Sequence, residues 1–233
     1  MALERADVLV TFDLFSALID SRTGGSRCFA ELAQRRGWSV GGHALYDEWD
    51  RRNKISQRDT LEWISFAEHS RRSLYAAYVH LRLDGDASVD VTRLFESISA
   101  WPLWPDVAEA LPTLAEHFQV GILSNVDDEL FRLTQVSALV DERVVLTSQR
   151  LGAFKPSSVI YHRAVERAGS QPVVHVAASA RDVRGALEAA IPVIRVIRPG
   201  HAVDPEGPQP PVEVSSLDQV ADHVQTLVRA HPR

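Results

Sequence analysis

Val8-Leu9-Val10-Thr11-Phe12 is an unbroken β-branched and aromatic run that stops at Asp13. An apolar run of this length, with no polar alternation, suits a strand covered on both faces, as in a parallel sheet. Comparable runs recur at Val120–Leu123, Val144–Leu146, Val173–Val176 and Val193–Ile197. Between them the spacing turns helical. Asp106 is placed to cap a helix reaching about Phe118, with Pro112 expected to bend or break it. Asp127 is placed to cap a second helix carrying Leu130, Phe131 and Leu133. Pro156 stands as a first-turn proline ahead of Ile160, Ala164 and Val165. A fourth helix follows Arg181, with Ala186, Leu187 and Ala190 on one face, until Pro192 stops it. Strands alternating with helices after residue 100 predict a doubly wound α/β sheet.

The stretch from about Ser21 to Ser99 breaks this rhythm. It has few β-branched runs, and Trp38, Trp49, Trp63, Tyr75 and Tyr78 fall at roughly helical spacing. It reads as a helical domain inserted after the first strand, its aromatics packed between helices. Trp101-Pro102-Leu103-Trp104-Pro105 forms the return link. The expected division is a core of 1–16 with 100–233 and an inserted domain of 17–99. Residues 199–211 hold five prolines and read as an irregular surface loop before a last helix near Leu217–Ala230.

Composition narrows the function classes. The chain has 233 residues, 45% apolar and 24% charged, which is enough for a substantial core. A net charge of -6 lacks the electrostatic footprint of a general nucleic-acid binder and offers no polybasic anchor for a membrane. Cys28 is the single cysteine, so an intrachain disulfide and a Cys-cluster zinc site are both excluded. No apolar run reaches the roughly 20 residues of a membrane span. Met1–Arg5 is charged and lacks the apolar segment of a signal peptide, so the expected compartment is the cytoplasm.

Ligands of open parallel sheets bind outside the carboxyl ends of the strands. The residues there are Asp13, Ser124 with Asn125, Lys155, and Ser179 through Asp182. A carboxylate ending an apolar strand is unusual unless something stabilises or uses it. Lys155 would supply the positive partner and keep Asp13 ionised as a nucleophile. Ser124 and Asn125 can donate to a bound anion or a developing oxyanion. Asp182 could position water or hold Lys155. His43, His69, His80 and His175 show no ligand spacing and are assigned to surface or core.

Four segments carry a family resemblance. Phe12-Asp13-Leu14-Phe15-Ser16-Ala17-Leu18, Leu123-Ser124-Asn125, Phe154-Lys155-Pro156 and Val176-Ala177-Ala178-Ser179-Ala180-Arg181-Asp182 resemble, in order, the four motifs of the haloacid dehalogenase superfamily. The resemblance implies a Rossmann-like core with a helical cap domain. It implies Asp13 as the nucleophile of a covalent aspartyl intermediate that water hydrolyses. Ser124 or Asn125 and Lys155 would bind and polarise that intermediate, and Asp182 would help with the hydrolytic water.

Phosphatases of the superfamily carry a second Asp two positions after the nucleophile as general acid, where this chain has Phe15, and a Mg²⁺-ligating Asp where it has Ala178. The L-2-haloacid dehalogenase branch needs neither group, nor any cofactor, because a halide leaves without a proton. That branch has an aromatic residue at Phe15 and a Tyr at Tyr161, and its fourth motif resembles 176–186 in spacing. The resemblance therefore implies a small 2-substituted carboxylic acid as substrate, with Phe15, Ser124, Asn125, Tyr161 and Ser179 lining its site. A cap arginine following a tryptophan binds substrate in the branch; Arg51 and Arg52, after Trp49, are the nearest candidates, although with Asp50, Arg58 and Asp59 they also read as a solvated charged face. The chain departs from the branch at Ala17, where Thr is usual, at Ala177 and Ser179, where Ser and Asn stand, and at Val126, where Gly stands. A homodimer follows by analogy with the branch. Two alternatives stay open: a phosphatase whose metal site is displaced to Asp127 or Asp128, and a degenerate member that binds a ligand without turnover.

Overall fold

The structure, a computed structural model, describes residues 7–58, 60 and 63–230; Asp59 and Met1–Arg5, weighed above, lie outside the described residues. The chain packs as two compact units. One holds residues 7–19, 103–125 and 136–230, the other 20–102 with 126–135. The segment 126–135, expected with the sheet, groups with the helices instead.

The first unit is built on six parallel strands: β1 (Leu9–Phe12), β2 (Gln119–Ser124), β3 (Val145–Thr147), β4 (Val173–Ala177), β5 (Val193–Val196) and β6 (Val212–Val214). Their order is β3-β2-β1-β4-β5-β6. The order reverses between β1 and β4, which creates the crevice where open α/β sheets bind ligands. The residues of β1, β3, β4 and β5 are buried on both faces, as continuous apolar runs require. Side chains alternate across the sheet. Leu9, Leu123, Leu146, Val173, Ala177 and Val193 form one face and pack with α7 (Ser148–Leu151), α8 (Ser158–Ala168) and α9 (Ala180–Glu188). On the opposite face α5 (Val107–His117) lies against β2 and α10 (Val220–Ala230) against β4.

Several local expectations are revised. Pro112 sits inside α5 without ending it. Asp106 makes no side-chain cap on α5; its carboxylate accepts from the Leu217 backbone N–H at 2.8 Å and pairs with Arg198 at 2.9 Å. Pro156 precedes the N-cap Ser157 of α8 and follows a cis peptide bond. Ala190 lies beyond α9 with φ 59°, and the buried face of that helix is Asp182, Val183, Gly185 and Ala186. The sequence pattern assigns no element to β6, which is three residues long, follows paired prolines and alternates Val-Glu-Val at a sheet edge.

The second unit contains α1 (Ser21–Arg36), α2 (Gly42–Arg58), α3 (Phe66–Leu81), α4 (Ala87–Glu96) and the short α6 (Asp128–Leu133). Phe29, Leu45, Leu74 and Leu94 fill its centre, with Trp49 edge-on to Phe29 at 6.0 Å. Trp49 and Tyr78 pack as expected, whereas Trp63 and Tyr75 are exposed. Asp127 does not cap α6 through its side chain. Its two oxygens accept the N–H groups of Phe66 and Ala67, both at 2.9 Å, at the start of α3.

Candidate active site

β1 delivers Asp13 to the reversal point of the sheet. The Asp13 backbone N–H still bonds Val176 of β4 at 2.9 Å, while Leu14–Leu18 turn away in a single π-helical turn. That turn folds Ser16 back onto the carboxylate. The Ser16 N–H donates to Asp13 Oδ2 at 3.0 Å, and the Ser16 hydroxyl makes a short hydrogen bond to the same oxygen. The hydroxyl contact expected to be missing at Ala17 is thus supplied one residue earlier. Ser124, the last residue of β2, places its hydroxyl 3.5 Å from Asp13 Oδ1.

Lys155 reaches the same point from the loop before α8. Its ammonium donates to Asp13 Oδ1 at 2.7 Å, Asp182 Oδ2 at 2.5 Å and the Leu123 carbonyl at 2.9 Å. Three protons meet three acceptors, so the ammonium is fully satisfied. Asn125 holds the lysine backbone: its Oδ1 accepts the Lys155 N–H at 2.7 Å and its Nδ2 donates to the Lys155 carbonyl at 3.0 Å. Asn125 thus clamps the loop that carries Lys155.

Asp182, in the first turn of α9, accepts at both oxygens. The Tyr161 hydroxyl donates to Oδ1 at 2.7 Å, Lys155 to Oδ2, and His175 Nε2 lies 3.1 Å from each. Three donors thus engage both oxygens of the carboxylate, the His175 nitrogen being shared between them. Tyr161, fully buried, therefore serves Asp182. Gly185 permits this approach, since a Cβ there would stand 2.9 Å from the Tyr161 hydroxyl. Of the two roles expected of Asp182, positioning water or holding Lys155, the geometry displays the second.

Electrostatics follow from burial. Asp13, Lys155 and Asp182 are 8%, 6% and 3% exposed. Burial alone would push Asp13 upward, but the Lys155 charge and hydrogen bond and the Ser16 hydroxyl hold its pKa below the usual carboxylate value. Asp182 is held low in the same way, against burial, by Lys155 and His175. Burial would lower Lys155, yet the two carboxylates raise it above an ordinary lysine. Burial and the adjacent Asp182 push the Tyr161 phenol well upward, so it stays a donor.

Phe15 lies half-buried in the π turn, and Ser179 is the half-buried N-cap residue of α9 with no side-chain cap bond. Arg51 and Arg52 belong to α2 of the helical unit, where both guanidiniums pair with Glu48, at 3.0 and 2.5 Å. His175 was assigned to surface or core on spacing; it belongs to this cluster. Its signal was an imidazole in a strand otherwise made of valine and alanine, on the same sheet face as Thr11.

The Mg²⁺ of the superfamily's phosphatases would need oxygen donors beside Asp13. Ala178 has none, and Lys155 already bridges the two carboxylates. Among the described residues no group of three His, Cys, Asp or Glu side chains could hold a metal ion. Asp127 is committed to α3. These residues do not fit a divalent cation.

Fold and site together define an α/β protein with charged residues gathered at the switch point of a parallel sheet. A model of the haloacid dehalogenase-like hydrolases matches residues 8–190, and the chain belongs to that family. No curated protein matches it. Among solved structures it resembles a dehalogenase at 24% identity and TM-score 0.78, covering 95% of this chain and 98% of the other. An L-2-haloacid dehalogenase from Xanthobacter autotrophicus follows at 21% and 0.78, covering 93% and 98%. A defluorinating L-2-haloacid dehalogenase matches at 21% and 0.80, covering 97% and 100%. At these identities the likeness speaks to fold.

Proposed function

We propose that this hydrolase works through an ester on Asp13 and acts, without a metal, on a small 2-substituted carboxylic acid, in the manner of a haloacid dehalogenase. The observation that carries the reading is the Lys155 ammonium bridging Asp13 and Asp182 at buried strand ends, with a phenyl ring at Phe15 where a proton donor would stand. An ionised, partly desolvated carboxylate is a competent nucleophile. One Asp13 oxygen attacks C2, the carbon–halogen bond breaks, and its electron pair leaves with the halide, inverting the carbon. Water then adds at Asp13 Cγ; Lys155, the Ser16 donors and Ser124 are placed to stabilise the oxyanion. The C–O bond of the acyl group breaks, the 2-hydroxy acid departs, and Asp13 returns carrying a water oxygen with one proton released.

The test is chloride release from 2-chloropropionate in EDTA. Wild type should release chloride and Asp13→Asn should not, with little change in thermal melt. One turnover in H₂¹⁸O should place the label in the Asp13 peptide. Label absent from that peptide rejects the ester. Mg²⁺-stimulated phosphate release from an aryl phosphate would favour a phosphatase, and silence in both assays a binding protein.

A further inference from the structure

We propose that His175, backed by Thr11, is a positioning residue that holds the Asp182 carboxylate, and through it the Lys155 ammonium, in register with Asp13; this rests on the ester mechanism proposed above. The imidazole is fully buried in β4, yet both ring nitrogens have polar partners. Nδ1 lies 2.9 Å from the Thr11 hydroxyl on the neighbouring strand β1. Nε2 stands 3.1 Å from each Asp182 oxygen, so a single donor straddles the carboxylate.

Asp182 can only accept here, because Lys155 and Tyr161 already donate to it. Nε2 must therefore carry a proton, and in the neutral ring Nδ1 then accepts from Thr11. The arrangement fixes more than a distance. Tyr161 and Lys155 each hold one oxygen and would let the carboxylate plane rock between them. A donor shared by both oxygens stops that rotation. With Oδ2 fixed, the lysine proton aimed at Asp13 Oδ1 is fixed as well. The support comes from within the strand because Ala177, which ends β4, and Ala178 after it have no polar side chain. The edge of the Tyr161 ring, 6.2 Å from the imidazole, completes the packing. His175 touches no substrate in this account, so its loss should change the rate and not the binding.

The test compares His175→Phe, which keeps a flat ring without a donor, and His175→Gln, whose amide restores a donor near the Nε2 position. For 2-chloropropionate, H175F should lower kcat by about 10- to 100-fold, as for a lost hydrogen bond to a buried charge. KM should stay within about threefold, and H175Q should recover most of the rate. A kcat for H175F equal to wild type overturns the proposal, and so does an equal loss in two folded variants. Long-range ¹H–¹⁵N spectra supply a readout independent of turnover. The ring signal lost in H175Q should show an Nε2-protonated tautomer in wild type and should move in Asp182→Asn. A ring protonated only at Nδ1 overturns the proposal, even if H175F fails to fold. If wild type releases no chloride, the haloacid reading falls, while the tautomer still decides whether His175 holds Asp182.

Discussion

Ser16 illustrates how one side chain can occupy a role that the motif pattern assigns elsewhere. Alanine at position 17 removes a hydroxyl from the expected place, yet the π turn brings the Ser16 hydroxyl and N–H onto Asp13 Oδ2. Ser16→Ala keeps the N–H and deletes only the hydroxyl. The expected result is a fall in chloride-release rate of about 10- to 100-fold with the fold retained, on the scale of a single hydrogen bond to a buried charge. A variant as fast as wild type would show that the N–H suffices. At this scale Asp13, Lys155, Asp182 and Ser124 were legible from the sequence, because each ends or follows an apolar run. Asn125 and Tyr161 were expected at this end of the sheet, but their partners, Lys155 and Asp182, were not legible. Which group each side chain bonds depends on close approaches such as that at Gly185, and a residue string does not display them.

At the level of elements, strands announced themselves and caps did not. Five of the six strands follow continuous apolar runs, whose burial on two faces leaves little other choice. Helix ends were read less well because a carboxylate near an N-terminus can serve any nearby N–H group. Asp127 precedes α6 and satisfies α3. Removing it by Asp127→Ala leaves the Phe66 and Ala67 N–H groups without that acceptor at a buried position. The expected loss is about 1–2 kcal/mol in denaturant unfolding. Hydrogen exchange should accelerate at the first turn of α3, whereas the first turn of α6 should be unaffected. Faster exchange at α6 alone would restore the original assignment.

For the molecule as a whole, three buried charges contribute stability that depends on pH. Asp13 and Asp182 have folded pKa values below the unfolded value of about 3.9. The stability they contribute is fully present above that value and is lost as pH falls through the lower folded ones. Lys155 lies above its unfolded value of about 10.4, so its contribution persists below that pH and disappears as pH rises through the higher one. Thermal melts should therefore show no change from this cluster between about pH 5 and 9. Lys155→Met leaves two carboxylates facing each other and should cost about 3–5 kcal/mol at pH 7, with the deficit shrinking toward pH 4 as one carboxylate takes a proton. A deficit that stays constant with pH would show that packing, not charge, is what the lysine supplies.

The division of labour between sequence and fold has a physical basis. Local features depend on a few adjacent residues, so the apolar runs, the acidic strand tip, the ordered motifs and the helical insertion were all visible in the chain itself. The strand order, the reversal between β1 and β4, and the three-way grip on Asp182 join residues as far apart as Thr11 and His175. Such contacts exist only after side chains from separate strands share one buried face. There a buried polar group must find a partner, and the tertiary structure alone decides which one it finds.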